Sequence, residues 1–295
     1  MLKPGIILPP LPQKSLIRKL PGKGNVHWSV FSKNENWNSP SDSHFATYNS
    51  EVIPLISDVL FVLDPEFCQF EYLNYAVRNS CHLFIDNVER LTELQLNLLI
   101  ELAHEAGTQI TVRADQLYSP ITQQLIQFNQ FPRIIKGDYA SARIDGDLFS
   151  HVTCFVRILL KLNPTEITDI AVAGGDFLSD LTDFIDIHLD FADGMTASLT
   201  FNKLTSTDTS RLTIYRNGGL IEANFYAKTL DMKPENQTLS FSESGENEKL
   251  ISQMTDFLNH IENREFSSHS LEEEKEVFVL VNRIKEQLRI KSISI

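Results

Sequence analysis

Asp58-Val-Leu-Phe-Val-Leu63, His82-Leu-Phe-Ile-Asp86 and Gln109-Ile-Thr-Val112 are short apolar runs, and the stretch 58–114 that holds them decides the fold. A helical stretch starting near Phe67 separates the first two, and the run Thr92–Ala106 separates the second from the third. Apolar strands alternating with helices predict parallel strands joined by crossovers, a doubly wound α/β sheet. The second helix carries its own punctuation: Thr92 with Gln95 forms a capping box, and Gly107 supplies the stop. Leu94, Leu98 and Leu102 share one of its faces, with Leu99 beside them.

Upstream, Gly5-Ile-Ile7 reads as the first strand and Val26-His-Trp-Ser-Val-Phe31 as the second. Doubly wound sheets that bind dinucleotides do so over a Gly-rich first turn, where backbone N–H groups meet the phosphates. Here the first strand runs into Leu8-Pro9-Pro10-Leu11-Pro12-Gln13. Proline has no N–H to offer, and Leu8 brings a bulky side chain to a place that needs close backbone approach. The polar stretch from Ser32 to Ser50, which contains Trp37, reads as a surface loop.

Downstream, Tyr118-Ser-Pro120 opens a helical run, Ile121–Phe128, and after Pro132 the pattern changes. Ser150–Lys161 is a helix bearing Phe155, Ile158 and Leu159, stopped by Asn163-Pro164. Ile185, Ile187, Leu189 and Phe191 then alternate with Asp186, His188 and Asp190, and Asp193-Gly194 and Asn217-Gly218 mark hairpins. Two amphipathic helices close the chain. The first is striped by Ile251, Met254, Phe257, Leu258 and Ile261. The second is capped by Ser270 and Glu273 and striped by Val277, Leu280, Val281, Ile284 and Leu288. The fold class is α/β: a doubly wound parallel domain over 1–119, then an α+β domain over 120–295 with helices on one face of a largely antiparallel sheet.

The 295 residues carry a formal charge of −13, which disfavours nucleic acid and anionic membrane surfaces. Cys68, Cys81 and Cys154 show no CxxC spacing and read as reduced thiols. The start lacks signal-peptide architecture, and no apolar run approaches the ~20 residues of a membrane span, so a cytoplasmic protein is expected.

In this order of elements the chain resembles the Gfo/Idh/MocA family of NAD(P)-dependent sugar and polyol oxidoreductases, whose first domain is Rossmann-like. The residues that carry the resemblance lie mainly in 58–107, where the family has "GKHV-x-x-EKP" followed by "LT-x-x-EA". This chain has Asn79-Ser-Cys-His-Leu-Phe-Ile-Asp86-Asn87-Val88-Glu-Arg-Leu91-Thr92. The family's "R-F-x-P" appears as Leu117-Tyr118-Ser119-Pro120, and its Asp-x-x-x-His as Asp147-Leu-Phe-Ser-His151. The resemblance implies an NAD(P) cofactor, yet its three fingerprint glycines fall on Leu8, Pro10 and Gln13. The acidic residue that would hold the ribose falls near Ser32. The family lysine that assists proton transfer becomes Asn87, which can hydrogen-bond a hydroxyl but cannot titrate.

The catalytic candidates are therefore Asp147, His151 and Asn87, with Tyr118 as a substrate contact. Leu8, Pro10, Gln13 and Ser32 stand at degenerate cofactor positions. Asp147 and His151, one helical turn apart, read equally as an acid/base pair or as a dipole-favoured carboxylate with a satisfied histidine. Asp186-x-His188-x-Asp190 reads as the polar face of a strand rather than as a metal site. Lys14, Arg18 and Lys19 read as a solvated face. The expectation is a diverged oxidoreductase-family protein without ordinary NAD(P)-dependent hydride transfer and with no cofactor, binding a sugar-like ligand or a protein partner. The alternatives are a working oxidoreductase with an atypical cofactor loop and a structural subunit beside an active homologue. A homodimer through the second sheet is expected, with Lys203, Arg211 and Arg216 opposing the acidic strand face.

Overall fold

The structure, a computed structural model, describes residues 2–10, 16, 19–20, 27–33, 45–128, 132–141, 148–177, 182–242, 245–265 and 269–292. Gln13, Lys14, Arg18, Trp37 and Asp147 lie outside them. The chain divides into two compact units, Met1–Asp115 with Gly245–Glu276, and Gln116–Ser244 with Val277–Ile295.

In the first unit, β1 (Pro4–Leu8), β2 (Trp28–Ser32), β3 (Phe45–Thr47), β4 (Val59–Val62), β5 (His82–Ile85) and β6 (Ile110–Val112) form one sheet in the order β3-β2-β1-β4-β5-β6. Every pairing is parallel. All residues of β1 and β4 are buried, as expected of a parallel sheet covered on both faces. β3 corrects the reading of 32–50 as a loop. It is a three-residue edge strand, largely exposed, whose ladder bonds come from backbone and leave no apolar signature.

The helices α1 (Ile53–Ile56), α2 (Phe70–Arg78) and α3 (Glu93–Ala106) belong to this unit. The capping box on α3 is present: Thr92 Oγ1 accepts from Gln95 N at 3.3 Å, and Gln95 Oε1 accepts from Thr92 N at 2.9 Å. Its buried face, however, is Leu96, Leu99 and Ala103, while Leu94 and Leu98 are 68% and 43% exposed. A leucine-rich helix offers two stripes. The phase follows the start of the helix, where Leu91 before the cap and Leu96 at its fourth position, the two staple positions, are both buried.

The C-terminal part returns to this unit, which a single division at 119/120 does not contain. Leu250, Met254, Phe257 and Ile261 lie in one core cluster with Ile6, Leu8, Trp28, Phe61 and Phe84. Phe257 meets Phe61 edge-on at 6.0 Å and Phe84 at 6.0 Å.

In the second unit, α4 (Pro120–Phe128) and α5 (Phe149–Leu162) accompany an eight-stranded sheet. Its strands are β7 (Pro132–Ala140), β8 (Ile167–Gly175), β9 (Phe184–Phe191), β10 (Thr196–Asn202), β11 (Thr209–Arg216), β12 (Gly219–Asn224), β13 (Thr229–Lys233) and β14 (Gln237–Ser240). The order is β14-β13-β12-β11-β7-β10-β9-β8, antiparallel except for β7 beside β10. Ile185, Ile187, Leu189 and Phe191 are buried, and Asp186 and His188 are exposed, so the alternation reads correctly. Gly137 lets α5 approach: a Cβ there would come within 2.6 Å of Leu199 Cδ2 and 3.0 Å of Phe155 Cδ1. Phe155 packs edge-on against Phe201 at 5.3 Å.

The helices α6 (Glu246–Asn263) and α7 (Leu271–Ser292) close the chain. The α7 stripe Val277, Leu280, Val281, Ile284 and Leu288 is buried throughout. No helix among the described residues is long and apolar enough to cross a membrane.

Candidate functional site

Doubly wound sheets take their ligands beyond the carboxyl ends of the strands, where the strand order reverses. In the first unit that point lies between β1 and β4. β1 ends in Leu8, whose side chain is fully buried in the core cluster with Trp28 and Phe61. Leu8 is thus a core residue, not the obstruction over the turn that its size suggested. Pro9 and Pro10 follow and supply no N–H. Ser32, at the end of β2, is half-buried, and next to it Lys33 pairs with Glu66 and stands 5.0 Å from the centre of the Phe67 ring.

β4 continues through Leu63, whose N–H donates to Ile7 O at 2.9 Å, to Asp64. Asp64 is 1% exposed. Its Oδ1 accepts from Glu66 N at 3.0 Å, and its Oδ2 is buried with no hydrogen-bond partner. Cys68, buried beside it, faces Val62 O and Asp64 O, and burial pushes its thiol up to about 11, so it is no ready nucleophile.

At the ends of β5 and β6 the side chains are committed to one another. Arg113 donates to Asp86 Oδ1 at 2.9 Å and grips Asp115 through Nε at 2.9 Å and a second nitrogen at 2.5 Å. Gln253 of α6 donates to Asp115 Oδ1 at 2.7 Å and accepts from Ala114 N at 2.8 Å. Asn87 stands next to this cluster. Its Nδ2 donates to Asp86 Oδ2 at 3.2 Å, and its Oδ1 accepts from Glu89 N at 3.2 Å, an Asx turn that fixes the amide.

In the second unit, His151 sits in a polar cluster. Its ring stacks on Tyr139 at 4.0 Å with 16° between the planes. Burial lowers the imidazole pKa, and the nearby charge of Lys203 lowers it further. Burial raises the Tyr139 phenol, helped by Asp208 and Cys154. Asp208 accepts from Ser141 Oγ at 2.7 Å and from Tyr226 OH at 3.4 Å. Tyr118 is half-buried in the short turn Asp115–Tyr118.

On β9, His188 meets Ser198 Oγ at 3.0 Å and Asp190 at 3.4 Å, and Asp186 accepts from Thr200 at 2.8 Å, all as neighbours on a polar strand face. Arg216 donates to Phe128 O at 2.8 Å. Sequence reasoning passed over Asp64, Arg113, Tyr139 and Asp208. Only Asp64 left a signal, as the charged residue that ends the Val59–Leu63 apolar run.

His82 and His151 together set a pH dependence. His82 Nδ1 accepts from Gln109 N at 3.0 Å, and burial lowers its pKa below the ordinary 6.5. With both imidazoles depressed on folding, the unfolded chain binds more protons between the lowered values and about 6.5. Their stabilisation is complete above that window and is lost as pH falls through it. Urea midpoints should decline from pH 7.5 to 5, and His82→Gln should flatten part of that slope; an unchanged slope contradicts it.

No family model and no curated protein matches the sequence. Solved structures do. A UDP-N-acetylglucosamine 3-dehydrogenase from Acidithiobacillus ferrooxidans superposes with a TM-score of 0.78 at 15% identity, covering 97% of each chain. A dehydrogenase from Clostridium difficile gives 0.78 at 15% identity over 97% of this chain and 99% of that one. An oxidoreductase from Agrobacterium radiobacter, in complex with NAD+, L-tartaric acid and magnesium, gives 0.78 at 10% identity over 97% and 96%.

The fold is that of the Gfo/Idh/MocA dehydrogenases. Within the Gfo/Idh/MocA frame, the described residues of the first turn lack the N–H donors that a pyrophosphate needs at Pro9 and Pro10, and Asp64 adds a carboxyl group at the reversal point.

Proposed function

We propose that this chain is a diverged protein of the Gfo/Idh/MocA fold that binds a small polar, sugar-like ligand without ordinary NAD(P)-dependent hydride transfer. The observation that carries the reading is Asn87. It stands where the family resemblance puts a titrating lysine, and its amide is held on both sides by Asp86 and Glu89 N. An alcohol that loses hydride must also lose its proton, and an amide cannot take it. The first turn agrees with this. Pro9 and Pro10 withhold two N–H donors, and each charge-assisted bond lost, worth about 1.5–3 kcal/mol, weakens phosphate binding by about one to two orders of magnitude.

Calorimetric titration with NAD+, NADH, NADP+ and NADPH tests the reading. No dissociation constant tighter than about 100 μM is expected. Micromolar binding with turnover on a polyol would replace it by the alternative of a working oxidoreductase. One observation favours that alternative: His151, half-buried on Tyr139 with a lowered pKa, is an imidazole able to accept a proton. The polar face of the second sheet, with Asp186 and His188 outward and Arg211 3.9 Å from Glu222, suits a homodimer with a polar interface. Sedimentation at tens of micromolar as a monomer would remove that part of the proposal.

A further inference from the structure

β6 has the Arg113 cluster at its carboxyl end and a cavity at its amino end. The cavity, of about 60 Å³, lies within the first unit, between the C-terminal half of α3, the segment leading into β6 and the first turn of α7, and it is partly open to solvent. Ile100 and Ala103 of α3, Ile110 of β6 and Leu271 of α7 give it a mainly apolar wall. Thr108 also lines it. That residue is 8% exposed, and its Oγ1 is buried with no hydrogen-bond partner. Native proteins pair nearly all buried polar atoms, so the hydroxyl calls for a cause. The end of α3 does not supply one. Thr108 N donates to Ala103 O at 2.9 Å, a backbone bond that valine would make equally.

The size and charge of the lining select an occupant. The volume equals roughly two waters' share of liquid, the bulk of a molecule with about four non-hydrogen atoms. A sugar or a nucleotide is too large. Water fits the space but not the wall, because a buried water ordinarily holds about three polar partners and this wall is mainly carbon. His104 and Glu272 are the charged residues of the lining, and they are committed to each other at 2.9 Å, with side-chain exposures of 70% and 46%. α3 ends at this cavity and α7 begins there, so a negative and a positive helix terminus offset each other. The lining thus favours no net charge.

We infer that this cavity is a second binding site, distinct from the crevice at the carboxyl ends of the strands, and that it takes a small neutral molecule with one hydroxyl or carbonyl oxygen. The ligand's apolar body covers the wall, and its oxygen pairs with Thr108 Oγ1. A threonine hydroxyl donates to either kind of oxygen and accepts from the first. The site stands whether or not the chain uses a dinucleotide.

Heteronuclear NMR titration of the full chain with 2-propanol, acetone, isopropylammonium and acetate tests this. The amides of Thr108, Ile110 and Leu271 should shift saturably with the two neutral probes, at dissociation constants of about 1–50 mM, the scale open to so few atoms. The two ions, which must shed their hydration, should bind at least about tenfold more weakly. Thr108→Val, which keeps the shape, should weaken the neutral probes about 3- to 10-fold, the range of one net hydrogen bond, and Thr108→Ser should keep most of the affinity. Ala103→Leu, which fills the cavity, should abolish the saturable shifts, and Ile100→Phe serves if that variant does not fold. Shifts that stay linear to about 200 mM, the behaviour of a cavity holding water only, overturn the inference. Unchanged affinity in Thr108→Val or in the cavity-filling variant does so too, as do ions that bind as tightly as 2-propanol.

Discussion

A fragment of residues 1–119 is expected not to fold cooperatively, although it contains all six strands of the first sheet. Its core is unfinished without α6. Leu250, Met254, Phe257 and Ile261, all nine-tenths buried or more, complete the cluster around Ile6, Leu8, Trp28, Phe61 and Phe84. Burying side chains of this size contributes about 1.5–3 kcal/mol each, and four of them approach the whole stability of a domain. The fragment should therefore bind a hydrophobic dye and show a broad thermal transition.

The point version is Phe257→Ala in the full chain. Phe257 is 2% exposed and touches two rings, Phe61 and Phe84, at 6.0 Å each. Truncation should cost about 3–5 kcal/mol, read as a fall in the denaturant midpoint at constant slope. A sharp, dye-silent transition in the fragment, or a loss under about 1 kcal/mol in the variant, would show that α6 is peripheral.

The sequence displays the architecture because that rests on local signals. The strands of 58–114 are apolar and bounded, the α3 cap is written in Thr92 and Gln95, and the 185–191 alternation has a period of two. What it hides depends on the rest of the fold. β3 is three residues of edge pairing with no apolar run to announce it. The buried stripe of α3 cannot be chosen from leucines on both faces without the staple at Leu91 and Leu96. The return of α6 to the first unit is a matter of topology, since an amphipathic stripe does not say which sheet it covers. The candidate site is mixed in the same way. Asn87 and His151 come from motif positions. Arg113, Gln253 and the orphaned oxygen of Asp64 come from distances between segments up to 139 residues apart.

Arg113→Met is expected to be the most damaging single change among the strand-end polar groups. The guanidinium binds two carboxylates at once, Asp86 and Asp115, with side-chain exposures of 19% and 27%. Removing it leaves both without their cation. A fully buried pair broken on one side costs about 3–5 kcal/mol, and partial solvation here reduces that to about 2 kcal/mol. Asp115 keeps the Gln253 amide and Asp86 keeps Asn87, so the cluster should loosen rather than collapse. The loss belongs to the stranded carboxylates more than to missing bonds, and this can be separated. Adding Asp86→Asn and Asp115→Asn to Arg113→Met should restore most of the stability, because neutral amides tolerate the site without a counter-charge. Arg113→Lys should fall between, keeping the charge but losing the planar fork that reaches two partners. Asn87 is the functional readout: released from a fixed Asp86, its amide loses its defined orientation, and affinity for any ligand it contacts should fall in Arg113→Met. A triple variant no more stable than Arg113→Met alone would place the effect in packing of the arginine stem instead of in its charge.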